Sequence, residues 1–176
     1  MKKVITIGGS NSKNSINKQL AEYVGNKIKN IELIKIDLND FEMPIFSIDI
    51  ENEDGFADTT RALNSVFDEV DGFVISLAEH NGSYSAAFKN IYDWLSRLNG
   101  KVWREKPMIL LSTSPGARGG QTVLNTALAG FPYLGANIIG SLSFGSFFDN
   151  FKGGELVDKT VKAKLDNIIF DFEKVI

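Results

Sequence analysis

Three stretches of this chain collect small, hydroxyl-bearing and glycine residues of the kind that hold an anion or let a flat ligand approach a backbone closely. The first runs Gly8-Gly9-Ser10-Asn11-Ser12-Lys13-Asn14-Ser15-Ile16-Asn17. Leading into a helix, such a stretch exposes backbone N–H groups beside hydroxyl donors, which suits a phosphate monoester. It is neither the G-x-x-x-x-G-K-[ST] of a Walker loop nor the G-x-G-x-x-G of a dinucleotide site. A polar turn with a helix cap has the same composition. The second stretch, Ala78-Glu79-His80-Asn81-Gly82-Ser83-Tyr84-Ser85, centres on an Asn-Gly pair, read either as a flexible backbone against which a flat ligand can lie or as a surface turn with a cap. The third, Ser112 to Gly120, holds Gly116, Gly119 and Gly120 beside the hydroxyls of Ser112, Thr113 and Ser114, with Arg118 able to meet an anion.

Other chemistries are excluded by what is missing. There is no cysteine among 176 residues, so thiolate nucleophiles, C-x-x-C redox pairs, iron–sulfur ligands and zinc–thiolate clusters are absent. The single histidine, His80, rules out a multi-histidine metal site, and no metal is expected. Nineteen basic against 22 acidic residues give a net charge of −3, with no bulk attraction for nucleic acid or an anionic membrane. No apolar run approaches the roughly 20 residues that span a bilayer. The apolar stretch after Lys2 and Lys3 ends at Gly8, too early for a signal-peptide core, so a cytoplasmic location is expected.

The elements that must position these stretches follow from periodicity. Val4–Ile7, Ile31–Ile36, Phe73–Leu77, Met108–Leu111 and Asn137–Phe144 read as short strands, the first and third buried on both faces. Between them lie helical patterns: Ile16, Leu20, Val24 and Ile28 behind a Ser15 cap; Phe56 to Phe67; Phe88, Ile91, Tyr92, Leu95 and Leu98; and Thr122 to Leu134. Val161, Leu165, Ile168 and Phe172 form a last stripe. Strands alternating with helices predict an α/β fold, a parallel sheet covered on both faces, with no domain boundary and no repeat. In such sheets ligands bind beyond the carboxyl ends of the strands, where all three polar stretches fall.

The ordered combination of Gly9-Ser10 with Ser15-Ile16-Asn17-Lys18-Gln19-Leu20-Ala21, then Glu79-His80-Asn81-Gly82-Ser83 with Phe88-Lys89-Asn90-Ile91-Tyr92-Asp93-Trp94-Leu95-Ser96-Arg97, then Ser114-Pro115-Gly116 and Gly119-Gly120, resembles the NAD(P)H-dependent FMN reductases. These are flavodoxin-like quinone, azo-compound and chromate reductases. The resemblance implies one flavodoxin-like FMN-binding domain over residues 1–176, a three-layer sandwich with a five-stranded parallel sheet of order 2-1-3-4-5. It places Ser10, Ser12, Ser15 and Asn17 around the FMN phosphate. Glu79, His80, Asn81, Gly82 and Ser83 would border the isoalloxazine, with Ser114, Pro115, Gly116, Gly119 and Gly120 near its other side. Three positions depart from the family pattern: Ser12 stands where arginine is common, Ala78 where proline is usual, and His80 where tyrosine is typical.

The implied activity is hydride transfer from NADPH or NADH through FMN to a small acceptor, with the flavin carrying the chemistry and His80 the one residue considered as a proton source. A flavodoxin-type electron carrier is the alternative. A phosphoaspartate receiver is disfavoured by Gly8-Gly9-Ser10 after the first strand, and a cysteine-dependent phosphatase by composition. Trp94 and the cluster Phe144, Phe147, Phe148 and Phe151 read either as core or as a subunit face, and the family implies a homodimer or homotetramer. Residues 36–60, with eight acids and no base, read as a solvated loop.

Overall fold

The computed structural model describes residues 1–176. In chain order the elements are β1 (Lys2–Gly9), α1 (Ile16–Gly25), β2 (Ile31–Ile36), α2 (Ile48–Asp54), α3 (Asp58–Glu69), β3 (Gly72–Leu77), β4 (Glu79–His80) and β5 (Ser83–Tyr84). They continue with α4 (Ala86–Leu98), β6 (Pro107–Thr113), α5 (Gln121–Gly130), β7 (Asn137–Phe144), α6 (Phe147–Asn150), β8 (Phe151–Lys152), β9 (Glu155–Leu156) and α7 (Lys159–Glu173). Single 3₁₀ turns occupy Leu38–Asp40 and Phe131–Leu134.

Five strands form one parallel sheet in the order β2-β1-β3-β6-β7, which is 2-1-3-4-5 when the sheet strands alone are counted. Alternation of side chains across the pleat splits the core in two. Ile5, Ile7, Phe73, Ile75, Leu77, Met108 and Leu110 face α3, α4 and α5 in a cluster of 21 buried residues. Val4, Val74, Ile109 and Leu111 face α1 and α7 in a cluster of 15. Burial on both faces explains why β1, β3 and β6 are continuous apolar runs instead of alternating ones. No helix is long and apolar enough to cross a membrane.

Register puts the polar stretches together. Gly9 lies opposite Leu77, Leu77 opposite Ser112, and Thr113 opposite Phe144. The chain segments that leave β1, β3 and β6 therefore emerge side by side at one edge. Helix α1 begins directly over that edge because β1 ends in glycine: a Cβ on Gly8 would sit 2.5 Å from the Lys18 backbone nitrogen and 2.6 Å from its Cα. Only hydrogen in that place lets the first turn of α1 lie so close on the strand.

Several features depart from the sequence expectations. The acidic stretch contains a helix, α2, which buries no residue but is capped by Ser47 and carries Asp49 and Glu51 in its first turn, where the helix dipole favours acids. The helix expected from Phe56 starts at Asp58, leaving Phe56 free to pack edge-on against Trp94 with ring centroids 5.8 Å apart. Trp94 is buried within the chain: its indole N–H donates to the Pro44 carbonyl at 2.8 Å, and Phe46 crosses it at 5.0 Å. The segment before α3 covers it, so its apolar width is no mark of a subunit face. Phe144 and Phe147 are likewise core, Phe151 packs beside them, and Phe148 alone of the four is exposed.

The close seat of α1 on β1 generates a stability prediction. Gly8→Ala should destabilise the protein by about 2–3 kcal/mol, because the obstructing atoms are backbone and cannot turn aside; urea denaturation monitored by circular dichroism measures it.

Candidate functional site

A cleft of about 250 Å³ opens at the carboxyl edge of the sheet, lined by Ser10, Ser12, Asn14, Ser15, Ile16, Asn17, Ala78, Glu79, His80, Thr113, Ser114, Pro115 and Phe148. All three polar stretches contribute, as their register requires. Phe148 is the member the sequence reading assigned elsewhere. It reaches the cleft because Ser146 N–H donates to the Gly116 carbonyl at 2.9 Å and Phe147 N–H to the Ser114 carbonyl at 3.2 Å, tying the start of α6 to the third stretch. That link joins β7 to the stretch after β6, and no local spacing in the sequence announces it.

The first stretch is organised to leave donors unpaired. Ser10 N–H bonds the Gly8 carbonyl, Ser12 N–H the Ser10 hydroxyl, Ser15 N–H the Ser12 carbonyl, and Lys18 N–H the Ser15 hydroxyl as a helix cap. The N–H groups of Asn11, Lys13, Asn14, Ile16 and Asn17 have no partner in the protein. The hydroxyls of Ser10 and Ser15 accept in these bonds, so each keeps a proton to donate outward. No acid sits in the first turn of α1. Unpaired amides and hydroxyls at a helix N-terminus with no acid in its first turn can cradle an anion.

Nearby cations divide into used and unused. Lys18 binds Asp37, which stands just past β2; the hydrogen bond from its ammonium is the main reason the Asp37 carboxyl is held below the usual carboxylate range, and Lys18 is raised in turn. Lys13 makes no ion pair, and Arg118 makes none either, its guanidinium donating to the Thr122 hydroxyl at 2.9 Å. These two are the charges available to an anion. Lys13 follows Ser12 directly in the first stretch.

Beneath the rim, Asn17 does something its residue type did not announce. It is 3% exposed, and its side chain points into the protein: Nδ2 donates to the Thr113 carbonyl at 3.2 Å, while Oδ1 accepts from the Ser76 hydroxyl at 2.7 Å and from Thr113 N–H at 3.1 Å. One amide thus joins α1 to β3 and β6, and the backbone N–H is the group Asn17 leaves for a ligand. Two hydroxyls perform similar work, Ser85 donating to the Gly9 carbonyl at 2.8 Å while capping α4, and Ser112 donating to the Gly119 carbonyl at 2.7 Å.

The second stretch is a hairpin, not a pliable loop. Glu79 pairs with Tyr84 and His80 with Ser83, and the two residues between, Asn81 and Gly82, both have positive φ, 53° and 76°, the sign pattern of a type I′ turn. His80 is exposed at its end. In the third stretch Gly119 and Gly120 also have positive φ, 59° and 75°, and a Cβ on Gly119 would strike the Ser143 hydroxyl at 2.6 Å. Of the residues singled out from sequence, Ser10, Ser12, Ser15, Asn17, Glu79, His80, Ser114 and Pro115 line the cleft. Asn81, Gly82 and Ser83 lie along the hairpin, and Gly116, Gly119 and Gly120 along the third stretch, outside its lining.

An open parallel sheet of this order, with its crevice at the carboxyl edge, is a flavodoxin-like fold. Residues 2–149 match the NADPH-dependent FMN reductase family, and the chain belongs to it. It is 32% identical over 121 residues to a quinone reductase of Escherichia coli K12, a match covering 66% of this chain and 62%, under two thirds, of that protein. It is 28% identical over 136 residues to an NADPH:quinone oxidoreductase of Arabidopsis thaliana, across 74% of this chain and 68% of the plant protein. In fold it resembles FerB, a flavoenzyme NAD(P)H:(acceptor) oxidoreductase of Paracoccus denitrificans, with a TM-score of 0.77, 22% identity and 99% of each chain covered.

Two measurements test this construction. Asn17→Ala should cost about 2–3 kcal/mol in chemical denaturation, since it leaves Ser76 and the Thr113 backbone buried without partners. The Lys18–Asp37 pair stabilises the fold above the ordinary aspartate pKa of about 3.9 and loses that effect as pH falls through the lower folded value. The stability gap between wild type and Asp37→Asn, about 0.5–1 kcal/mol near neutrality for a partly exposed pair, should therefore close below about pH 4 in denaturation curves taken across the acid range.

Proposed function

We propose that this chain is an NAD(P)H-dependent FMN oxidoreductase that moves electrons from NADPH or NADH to a small acceptor of the quinone, azo, chromate or free-flavin type. The observation that carries the reading is the cradle of five unpaired amides and flanking serine hydroxyls at the head of α1, sharing its edge of the sheet with the hairpin and the glycine-rich third stretch. Family membership and the quinone-reductase relatives agree with it.

FMN fits what the cleft offers. Its phosphate dianion matches the amides of Asn11, Lys13, Asn14, Ile16 and Asn17 with the hydroxyls of Ser10, Ser12 and Ser15, while Lys13 supplies a positive charge. Glu79, His80, Asn81, Gly82 and Ser83 would border one part of the isoalloxazine, and Ser114, Pro115, Gly116, Gly119 and Gly120 another. At about 250 Å³ the cleft is smaller than the roughly 300–1,000 Å³ that encloses a whole ligand, which leaves room for part of a nucleotide to stay accessible. When bound, FMN supplies the hydride and electron chemistry. The protein's own part is to grip the phosphate, to present backbone N–H groups to the ring, and to keep an approach open for nicotinamide and acceptor in turn. No carboxylic acid or histidine in the cleft is required as a general acid; exposed His80 at the hairpin end is the one residue proposed as a proton carrier. A homodimer or homotetramer is the proposed assembly, supported by the exposed apolar side chains of Ile45, Tyr133 and Phe148.

Anaerobic mixing of the FMN-loaded protein with NADPH or NADH should bleach the flavin within the turnover time; a flavin that binds but is not reduced would make the protein a carrier. FMN should bind at least about tenfold more tightly than riboflavin, a difference of about 1.4 kcal/mol or more. Ser15→Asp keeps a residue that caps helices well and sets a negative charge beside the phosphate. Titration should show an unchanged fold by circular dichroism and an FMN Kd raised at least about tenfold.

A further inference from the structure

Helix α5 begins without a cap of its own. Its N-cap residue is Gly120, which has no side chain, and its first turn carries no acid. A capping serine or aspartate cannot simply replace that glycine, because φ there is 75° and a Cβ would come within 3.1 Å of the Ser112 Cβ. The cap comes from elsewhere. Thr122 N–H and Val123 N–H both donate to one carboxylate oxygen, Oε2 of Glu79, at 2.9 and 3.0 Å. Glu79 is the first residue of the hairpin, 43 residues earlier in the chain than Thr122. These are the only hydrogen bonds joining the hairpin to α5 or to the stretch before it. That stretch is fixed from its other sides by Ser112 donating to the Gly119 carbonyl and by Ser143 donating to the Arg118 carbonyl at 2.9 Å.

We propose that Glu79 is a positioning residue, a strut that sets the spacing between the hairpin and the Gly119-Gly120 stretch by capping α5, and so holds together the two walls between which the flavin ring lies. The inference rests on the FMN reading given above and adds to it a residue that acts on the ring end of the site through α5. Its Oε2 is committed to two backbone amides, and the role proposed here is the one this oxygen exerts on the two walls through α5. A charged acceptor on two adjacent amides at a helix N-terminus also satisfies donors that otherwise have to be met by water or ligand.

The test combines amide exchange of the flavin-free protein with flavin titration in Glu79→Ala and Glu79→Gln. In the alanine variant the Thr122 and Val123 amides should exchange about tenfold faster, the range expected for loss of a strong cap. FMN and riboflavin should weaken by the same factor, at least about tenfold, because the phosphate cradle is untouched; Ser15→Asp, by contrast, penalises FMN alone. Glutamine retains an acceptor oxygen at the same reach and should restore both quantities to within about threefold of wild type. Should the alanine variant fail to fold, Glu79→Asp, whose carboxylate is one methylene short of the two amides, reads the same two quantities. Unchanged exchange would overturn the cap, and faster exchange with unchanged affinity for both flavins would overturn the positioning role. A wild-type protein that binds no flavin, with the exchange difference intact, would instead defeat the FMN reading and leave Glu79 a cap of α5 alone.

Discussion

The arrangement depends first on a single buried amide. The side chain of Asn17 meets both backbone groups of Thr113 and the hydroxyl of Ser76, so the first turn of α1, the end of β3 and the end of β6 are fastened at one point. A buried polar group left unmatched costs roughly as much as a fully made set of bonds contributes. The bracket is therefore effective only when all three partners are in register, and the parallel pairing of β1, β3 and β6 supplies that register. An anion cradle at the head of a helix is common; one fastened to two neighbouring strands is a cradle with a fixed distance to everything else on the sheet edge.

Around that point the site is built from below. Ser85 reaches from the head of α4 to the Gly9 carbonyl, Ser112 and Ser143 hold the turn before α5, and Glu79 closes the gap between hairpin and helix. Short polar side chains and glycines do this work because the space is narrow: α1 lies against Gly8, and Gly119 faces the Ser143 hydroxyl. The abundance of serine and glycine at this edge thus has two causes. Some of these residues are left to face a ligand, and others hold the backbone that does.

The broad design was legible because it follows from repeated local signals. Apolar runs such as Val4–Ile7 and Phe73–Leu77 gave doubly buried strands, the stripe of Leu20 and Val24 gave α1, and Ser15 marked its cap at the right residue. Helix α2 escaped because it has no apolar stripe, although Ser47 followed by Asp49 and Glu51 was a readable cap. Strands of two residues are too short for any period to show, so the 79–84 hairpin leaves no trace in the sequence beyond its Asn-Gly turn. For the site, residue types indicated which stretches meet, but not which way side chains turn. Asn17 has the same composition value whether its amide faces a phosphate or Thr113, and the partner of Glu79 is separated from it by α4 and β6. Phe148 reaches the cleft because Ser146 and Phe147 bond Gly116 and Ser114, contacts that only the folded chain brings together.

One consequence follows from where these fastenings lie. Nearly all of them engage main-chain atoms beneath the rim, while the side chains of Asn11, Lys13 and Asn14 above it make no hydrogen bond or ion pair that the scaffold needs. Those three positions are free to drift under selection, or to be randomised in a library, without loosening the frame. Under the proposed FMN reading, variation there would retune how firmly the cofactor is held, separating the evolution of cofactor retention from that of the fold.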